Sequence, residues 1–118
     1  MTDLKKLLEN FSRLDNVRGA VLVDDHGLVI EEFFRQNDDS SSLALMVMRA
    51  AQVGQALVDD LDKAPLAQQY IEFADVQITA EQLASNCVLV ILAESGANLG
   101  RVRLEIRKNK AAVEALLA

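Results

Sequence analysis

The chain has 118 residues, of which 51% are hydrophobic and 25% are charged, and its formal net charge at pH 7 is −6. These values are typical of one globular domain, and we expect a single domain over residues 1–118. The acidic charge argues against binding to nucleic acid or to anionic membrane surfaces, because both require a basic face. No secretory signal or bilayer-spanning segment is evident, which indicates a cytoplasmic protein.

The first part of the chain predicts a helix and then a β-hairpin. Apolar residues recur at helical spacing from Leu4 to Leu14, with charged residues between them. Two β-forming runs then flank the sequence DDHG, in which Gly27 can adopt the positive φ of a tight turn. The polar stretch 35–42 predicts a loop, and Asp39 or one of the serines 40–42 is expected to cap the next helix.

The rest of the chain predicts a second helix, three strands and a third helix. The second helix is predicted over residues 43–61, and Pro65 lies just beyond its end. Residues 69–83 predict two short strands around a turn at 74–75. After a turn at Asn86, CVLVILA predicts a strand, and the last helix is expected to start near Asn98 and run to the C-terminus.

The pattern of apolar residues also predicts the order of the strands. GAVLV, in the first strand, and CVLVILA, in the fifth, are apolar at odd and even positions, so both should lie in the centre of the sheet. The hairpin and the later meander then give the order 2-1-5-4-3. We therefore predict an α+β fold with a five-stranded antiparallel sheet and the element order αββαβββα. The second helix lies on one face, the first and third helices lie on the other, and the third strand is an open edge.

The second helix has a wide apolar arc, which is expected to pack on the sheet and which includes Met46, Val53, Leu57 and Leu61. The opposite half is polar but also carries Leu and Met side chains. Such a mixture is typical of a partner-binding surface, although scattered exposed hydrophobic residues are common. The residues predicted to bind a partner are Leu45, Met48, Arg49, Gln52, Gln55 and Asp59.

The predicted edge strand, QYIEF at residues 69–73, has no Pro or Lys and little other protection against pairing with another chain. A two-fold copy of the same strand would cover this edge and would bring two second helices side by side. The sequence therefore predicts a homodimer. The residues predicted for its interface are Tyr70, Ile71, Phe73 and Ala51.

The glycine-containing segment SGANLG, residues 95–100, is a candidate phosphate-binding loop. Its spacing matches neither the P-loop nor the dinucleotide-binding fingerprint. We expect instead that Gly96 permits a turn and that Asn98 or Ser95 caps the last helix.

Other candidate chemical groups are few. His26 with Asp24 and Asp25 could hold a metal, but these residue types are also usual at a hairpin tip. Cys87 has no second His in the chain to activate it as a nucleophile, and Arg49 on an exposed helix is more often a solvated charge than a catalytic group. We therefore predict no enzymatic activity, no cofactor and no metal.

The hairpin VRGAVLVDDHGLVIEE, the segment LVILAESGANLGRVRLEIRK and the element order resemble the Roadblock/dynein light-chain family over essentially the whole chain. The resemblance implies a dimer whose sheet is continuous across two chains, built on the second helix and the third strand. Family members bind or regulate Ras-like small GTPases, and some are dynein light chains. Bacterial members of this type work beside a small GTPase in polarity and motility. Some activate GTP hydrolysis by reshaping the GTPase's own site.

The leading hypothesis is a homodimeric, non-enzymatic regulator of a Ras-like small GTPase in bacterial polarity, motility or signalling. The alternative is a scaffold or light-chain-like adaptor that has no effect on nucleotide hydrolysis. A small-molecule sensor would need a cavity under the sheet, and the bulky core residues do not indicate one.

Overall fold

The computed structural model describes residues 2–36, 39–62 and 65–118. Over these residues the chain forms three α-helices and five strands in the predicted order. Their bounds are α1 Asp3–Ser12, β1 Val17–Val23, β2 Val29–Phe34, α2 Ser40–Asp60, β3 Gln68–Glu72, β4 Val76–Gln82, β5 Val88–Glu94 and α3 Leu99–Leu117. A short 3-10 turn at Ala84–Asn86 separates β4 from β5.

The strands form one antiparallel sheet in the order β2-β1-β5-β4-β3, which confirms the predicted topology. The central strands β1 and β5 are buried at nearly every position. Their continuous apolar sequence therefore reflects a sheet that is covered on both faces. The strands β2 and β3 form the two edges.

Two apolar cores hold the helices on the sheet. One core lies between the sheet and the helices α1 and α3, and its members include Leu8, Phe11, Leu22, Leu89, Ile91, Ile106 and Val113. The other core lies under α2, and its members include Val21, Val90, Ile78, Ala44, Val47 and Met48. The sheet therefore has an α2 face and an α1–α3 face, as predicted.

Side-chain caps fix where the two long helices begin. The Asp39 carboxylate accepts a hydrogen bond from the N–H of Ser42 at 3.1 Å, so α2 starts at Ser40, three residues before the predicted start. The loop predicted over 35–42 is therefore wrong at residues 40–42, and residues 37 and 38 lie outside the described residues. Asn98 caps α3 in the same way, by accepting from the N–H of Arg101 at 3.1 Å.

The glycine turns also follow the prediction. Gly27 has a φ of 82° at the β1–β2 hairpin, and Gly96 has a φ of 94° between β5 and α3. SGANLG thus turns the chain from the sheet into a capped helix.

Gly19 in β1 lies where β2 approaches very closely. A Cβ added there would lie 2.3 Å from the Phe33 carbonyl oxygen and 2.4 Å from Cδ1 of Phe34. We expect Gly19→Ala to lower the free energy of unfolding by about 1–3 kcal/mol, because the strand backbone must move apart. Urea denaturation measures the change.

Gly100→Ala is the matched control for Gly19→Ala. A Cβ at this exposed helical position meets only the Asn98 side-chain oxygen, at 3.2 Å. Alanine favours the helix, but this oxygen also caps α3 and must move slightly, so Gly100→Ala should change the stability far less than Gly19→Ala does. Equal destabilisation by the two substitutions would contradict the close approach of β1 and β2.

Candidate functional site: the exposed sides of α2 and the β3 edge

The side of α2 that packs on the sheet carries Ala44, Val47, Met48 and Ala51. Met48 is only 8% exposed and belongs to the core under α2. The prediction that Met48 lies on the outer, partner-binding half of the helix is therefore wrong. The small side chains of Ala44 and Ala51 let this side approach the sheet most closely, and Met48 lies between them on the same side of the helix.

The sequence also predicts Ala51 in the dimer interface. The structure buries it on the side of α2 that faces the sheet, where it also lines a shallow cleft beside the β1–β2 hairpin. Ala51 is only 6% exposed, so little of its side chain is left for contact with a second copy.

The large side chains in the apolar arc of α2 do not all pack on the sheet as predicted. Four of its large side chains, predicted to pack on the sheet, are exposed, from 56% for Met46 to 72% for Val53. They lie at spacings of seven, four and four residues, which places them along one side of the helix. The exposed stripe consists of Met46, Val53, Leu57 and Leu61.

The edge strand β3 carries exposed apolar side chains on the same face of the sheet. Ile71 pairs in register with Ile78 of the core under α2, so both side chains point to the α2 face, and Phe73 lies two residues further along the same side. Ile71 is 38% exposed and Phe73 is 53% exposed. The alternate residues Gln68, Tyr70 and Glu72 point to the α1–α3 face.

Two hydrogen bonds place α2 beside β3. The Gln69 side-chain amide donates to the carbonyl oxygen of Ala50 at 3.0 Å, and the Leu66 N–H donates to the Gln55 side chain at 3.1 Å. The helix and the strand therefore run in opposite directions. Four helical residues and two strand residues each span about 6–7 Å, so Met46 lies level with Ile71. We call Met46, Val53, Leu57, Leu61, Ile71 and Phe73 the α2–β3 apolar surface.

The backbone of β3 extends this surface to an open edge. The N–H of Phe73 donates to Val76 at 2.8 Å, and the carbonyl of Ala67 accepts from Gln82 at 2.8 Å. Odd-numbered residues of β3 therefore pair with β4. The N–H and C=O groups of the even-numbered residues Gln68, Tyr70 and Glu72 point away from the sheet, where another strand could pair with them.

The remaining side of α2 is polar and lies beside the β1–β2 hairpin. Leu45, Arg49, Gln52 and Asp59 are exposed there, so the structure keeps these predicted residues together on one side. Gln55 is half-buried and donates to the Asp59 carboxylate at 3.0 Å. We call Leu45, Arg49, Gln52, Gln55 and Asp59 the polar flank.

A shallow cleft lies between this flank, the hairpin and the end of β4. Its volume is about 340 Å³, and its lining includes Asp25, Gln52, Leu66, Gln82 and Asn86. The cleft mixes apolar and amide side chains, which suits contact with another protein surface.

The hairpin tip brings together Asp24, Asp25 and His26, whose ligand atoms lie within 4.8 Å of one another. Asp24 uses one carboxylate oxygen to accept the N–H groups of Leu28 at 2.9 Å and His26 at 2.8 Å. These hydrogen bonds, with that from Leu28 the larger contribution, hold the pKa of Asp24 below its ordinary value. These hydrogen bonds stabilise the turn of the hairpin.

Cys87 and Arg49 are the other candidate groups for chemistry. The thiol of Cys87 is buried, and burial raises its pKa, which disfavours the reactive thiolate. Arg49 is exposed on the polar flank, where its guanidinium contacts the Met46 sulfur at 3.9 Å. Among the described residues, no helix is long and apolar enough to cross a membrane.

The chain is similar to a known domain family and to an archaeal protein. The family model of the Roadblock/LC7 domain matches residues 3–93. The uncharacterized protein MJ0714 of Methanocaldococcus jannaschii is 25% identical over 113 residues, which cover 96% of this chain and 95% of the relative.

Two solved structures show how closely the fold is shared. Myxococcus xanthus MglB is 24% identical, with a TM-score of 0.89 and coverage of 99% of this chain and 96% of that chain. The gliding protein MglB from Thermus thermophilus is 21% identical, with a TM-score of 0.85 and coverage of 98% of this chain and 91% of that chain.

Proposed function

Because the chain belongs to the Roadblock/LC7 domain family, we propose that it is a homodimeric, non-enzymatic regulator of a Ras-like small GTPase. The observation that carries this proposal is the α2–β3 apolar surface beside an open strand edge. The surface supports pairing with a second copy, and we assign the GTPase contact to the polar flank of α2.

The dimer follows from what the chain leaves exposed. Large side chains on α2 and β3 form one apolar surface, and the adjacent edge offers unpaired backbone groups at alternate residues. Exposed apolar surfaces of this kind mark interaction sites, and an unprotected edge strand is usually covered. A two-fold copy buries both features at once, because its α2 packs on α2 while its β3 pairs with β3.

We place the GTPase-binding surface on the polar flank of α2. Most of this side of α2 lies away from the α2–β3 apolar surface and stays accessible in the dimer, while Arg49 lies at the boundary, where it contacts Met46. Its Arg49, Gln52 and Asp59 are exposed, and Arg49 lies one helical turn from Leu45, which is 43% exposed. An apolar anchor with an Arg and a polar rim is typical of a specific and reversible protein contact.

The regulation we propose needs no catalytic residue from this chain. Binding can change GTP hydrolysis only if the bound protein favours one conformation of the GTPase over another. The nucleotide state of the partner is therefore the property to vary in a test.

The test captures partners from native lysate with tagged protein, once with a non-hydrolysable GTP analogue and once with GDP. We expect mass spectrometry to find a small GTPase retained with the analogue and lost with GDP. Equal retention in both would instead support the adaptor function. The absence of any small GTPase would contradict the regulator and would also favour the adaptor function.

Arg49→Glu tests whether the polar flank makes this contact. We expect the affinity for the captured GTPase to fall about tenfold or more, because exposed Arg residues are frequent hot spots and reversal adds repulsion. Titration calorimetry measures the affinity. Arg101→Glu, which makes the same charge change on exposed α3, is the control and should bind as the wild type does. Equal losses in both variants would show that only net charge matters.

A further inference from the structure

Positive charge is concentrated on α3, in a chain that is acidic overall. Five of the 12 Lys and Arg residues lie between positions 101 and 110, against one glutamate. Three of them, Arg103, Arg107 and Lys110, line a cleft of about 370 Å³ between α3 and the strands β3 and β4. The cleft therefore lies on the opposite face of the sheet from α2 and reaches the open edge.

The charges in this cleft are only partly matched within the chain. Lys110 pairs with Glu81 at 2.9 Å. The Arg103 Nε donates to the Gln68 side-chain oxygen at 2.8 Å, which holds the guanidinium over the edge strand. Over residues 2–36, 39–62 and 65–118, neither Arg103 nor Arg107 forms an ion pair with a carboxylate.

The edge itself carries an acidic group on the same face. Glu72 accepts a hydrogen bond from the Tyr70 hydroxyl at 2.8 Å, and this bond turns its carboxylate back along the strand. Glu72 and Arg103 thus lie on one face of one edge, near opposite ends of β3. An antiparallel copy of the strand would bring opposite ends together.

The outward backbone groups restrict how two copies can pair. Gln68, Tyr70 and Glu72 must face one another as hydrogen-bonded pairs. The two-fold register with the greatest overlap places Tyr70 opposite Tyr70 of the second copy and Gln68 opposite Glu72 of the second copy. Paired Cα atoms are then about 5.5 Å apart, so the Glu72 side chain of the second copy starts opposite the Gln68 that holds Arg103 and is within reach of that guanidinium.

We infer that Arg103 of each copy forms an ion pair with Glu72 of the second copy, and that this pair fixes the register of the continuous sheet. The inference rests on the proposed dimer and extends its interface to α3. A shift of two residues in either direction moves Glu72 opposite Leu66 or Tyr70 and shortens the ladder. The charges therefore select one register among those that the backbone allows.

A charge-swap series tests the pair. Arg103→Glu and Glu72→Arg should each raise the dissociation constant of the dimer about tenfold to a hundredfold, because symmetry places the repulsion in the interface twice. The double variant should return to within about threefold of the wild type. Lys108→Glu makes the same charge change on α3 but lies outside the cleft lining, and it should have little effect. Sedimentation equilibrium measures the constants, and thermal unfolding checks the fold.

Tyr70→Cys tests the register without any change of charge in the cleft. Two cysteines opposite each other at about 5.5 Å lie within the range for a disulfide, so this variant should cross-link under mild oxidation. Glu72→Cys is the control, because the predicted register separates its two copies by about four residues along the strand. Cross-linking through Glu72→Cys but not through Tyr70→Cys would overturn the register.

The outcomes separate this inference from the proposed dimer. If neither single substitution changes the dissociation constant of the dimer, the ion pair is wrong but the dimer is not. The same holds if the double variant is weakened by the sum of the two single effects. A wild-type protein that is monomeric would overturn both.

Discussion

The double variant Val53→Asp, Leu57→Asp is expected to be a folded monomer under conditions in which the wild type is a dimer. Both side chains are mostly exposed in the single chain, at 72% and 61%, so their replacement should change its stability little. In the dimer, symmetry would bury four carboxylates among apolar side chains, at a cost of about 1–3 kcal/mol each. The dissociation constant should therefore rise more than about a thousandfold.

Sedimentation equilibrium measures this effect, and circular dichroism checks that the monomer is folded. Ala56→Asp is the matched control, because Ala56 is exposed on α2 but lies outside the α2–β3 apolar surface. That variant should remain a dimer. If the double variant dimerises as tightly as the wild type, the α2–β3 apolar surface is not the interface.

Met48→Asp is expected to destabilise the chain itself and not to act as a selective partner-binding variant. Met48 is 8% exposed and packs with Val21, Val90 and Ile78 in the core under α2. A carboxylate there finds no cation to pair with among the core residues, and the methionine's own packing is also lost. The free energy of unfolding should fall by more than about 3 kcal/mol, a large part of the stability of a small domain.

Urea denaturation measures the loss in Met48→Asp, and Leu45→Asp provides the comparison. Leu45 lies three residues earlier and is 43% exposed, so its replacement should cost less than about 1 kcal/mol. If Met48→Asp unfolds at the wild-type urea concentration, α2 is rotated relative to the placement described above.

The fold could be predicted because several signals agree. The strands β1 and β5 carry apolar side chains on both faces, and these can all be buried only in the centre of a sheet that is covered on both sides. The hairpin at Gly27 and the meander from β3 to β5 then leave one simple order of strands. Gly96 and Asn98 mark a turn and a helix start by their own conformational and hydrogen-bonding preferences.

The sequence did not predict which side of α2 faces the sheet, because the helix is apolar on two sides. Met48, which faces the sheet, and Met46, which faces outward, are equally hydrophobic and only two residues apart. A helix with two apolar sides shows a single wide apolar arc in its sequence, so periodicity alone does not divide the arc. The decisive signal is side-chain volume, because Ala44 and Ala51 allow the closest approach to the sheet.

The proposed contact from α3 cannot be predicted from the sequence, for a different reason. Arg103 and Glu72 are 31 residues apart in the sequence, and nothing in their local patterns connects them. Only the packing of α3 over β3, seen in the Arg103–Gln68 hydrogen bond, places them on one edge.

Hydrogen exchange at the backbone amides of Tyr70 and Glu72 tests the central claim most directly. These N–H groups point to the open edge of β3, so they exchange rapidly unless another strand pairs with them. We predict slow exchange in the wild type and rapid exchange in the Val53→Asp, Leu57→Asp variant, while the amides of Ile71 and Phe73 remain protected in both. Rapid exchange at Tyr70 and Glu72 in a wild-type protein that sediments as a dimer would show that the copies pair elsewhere.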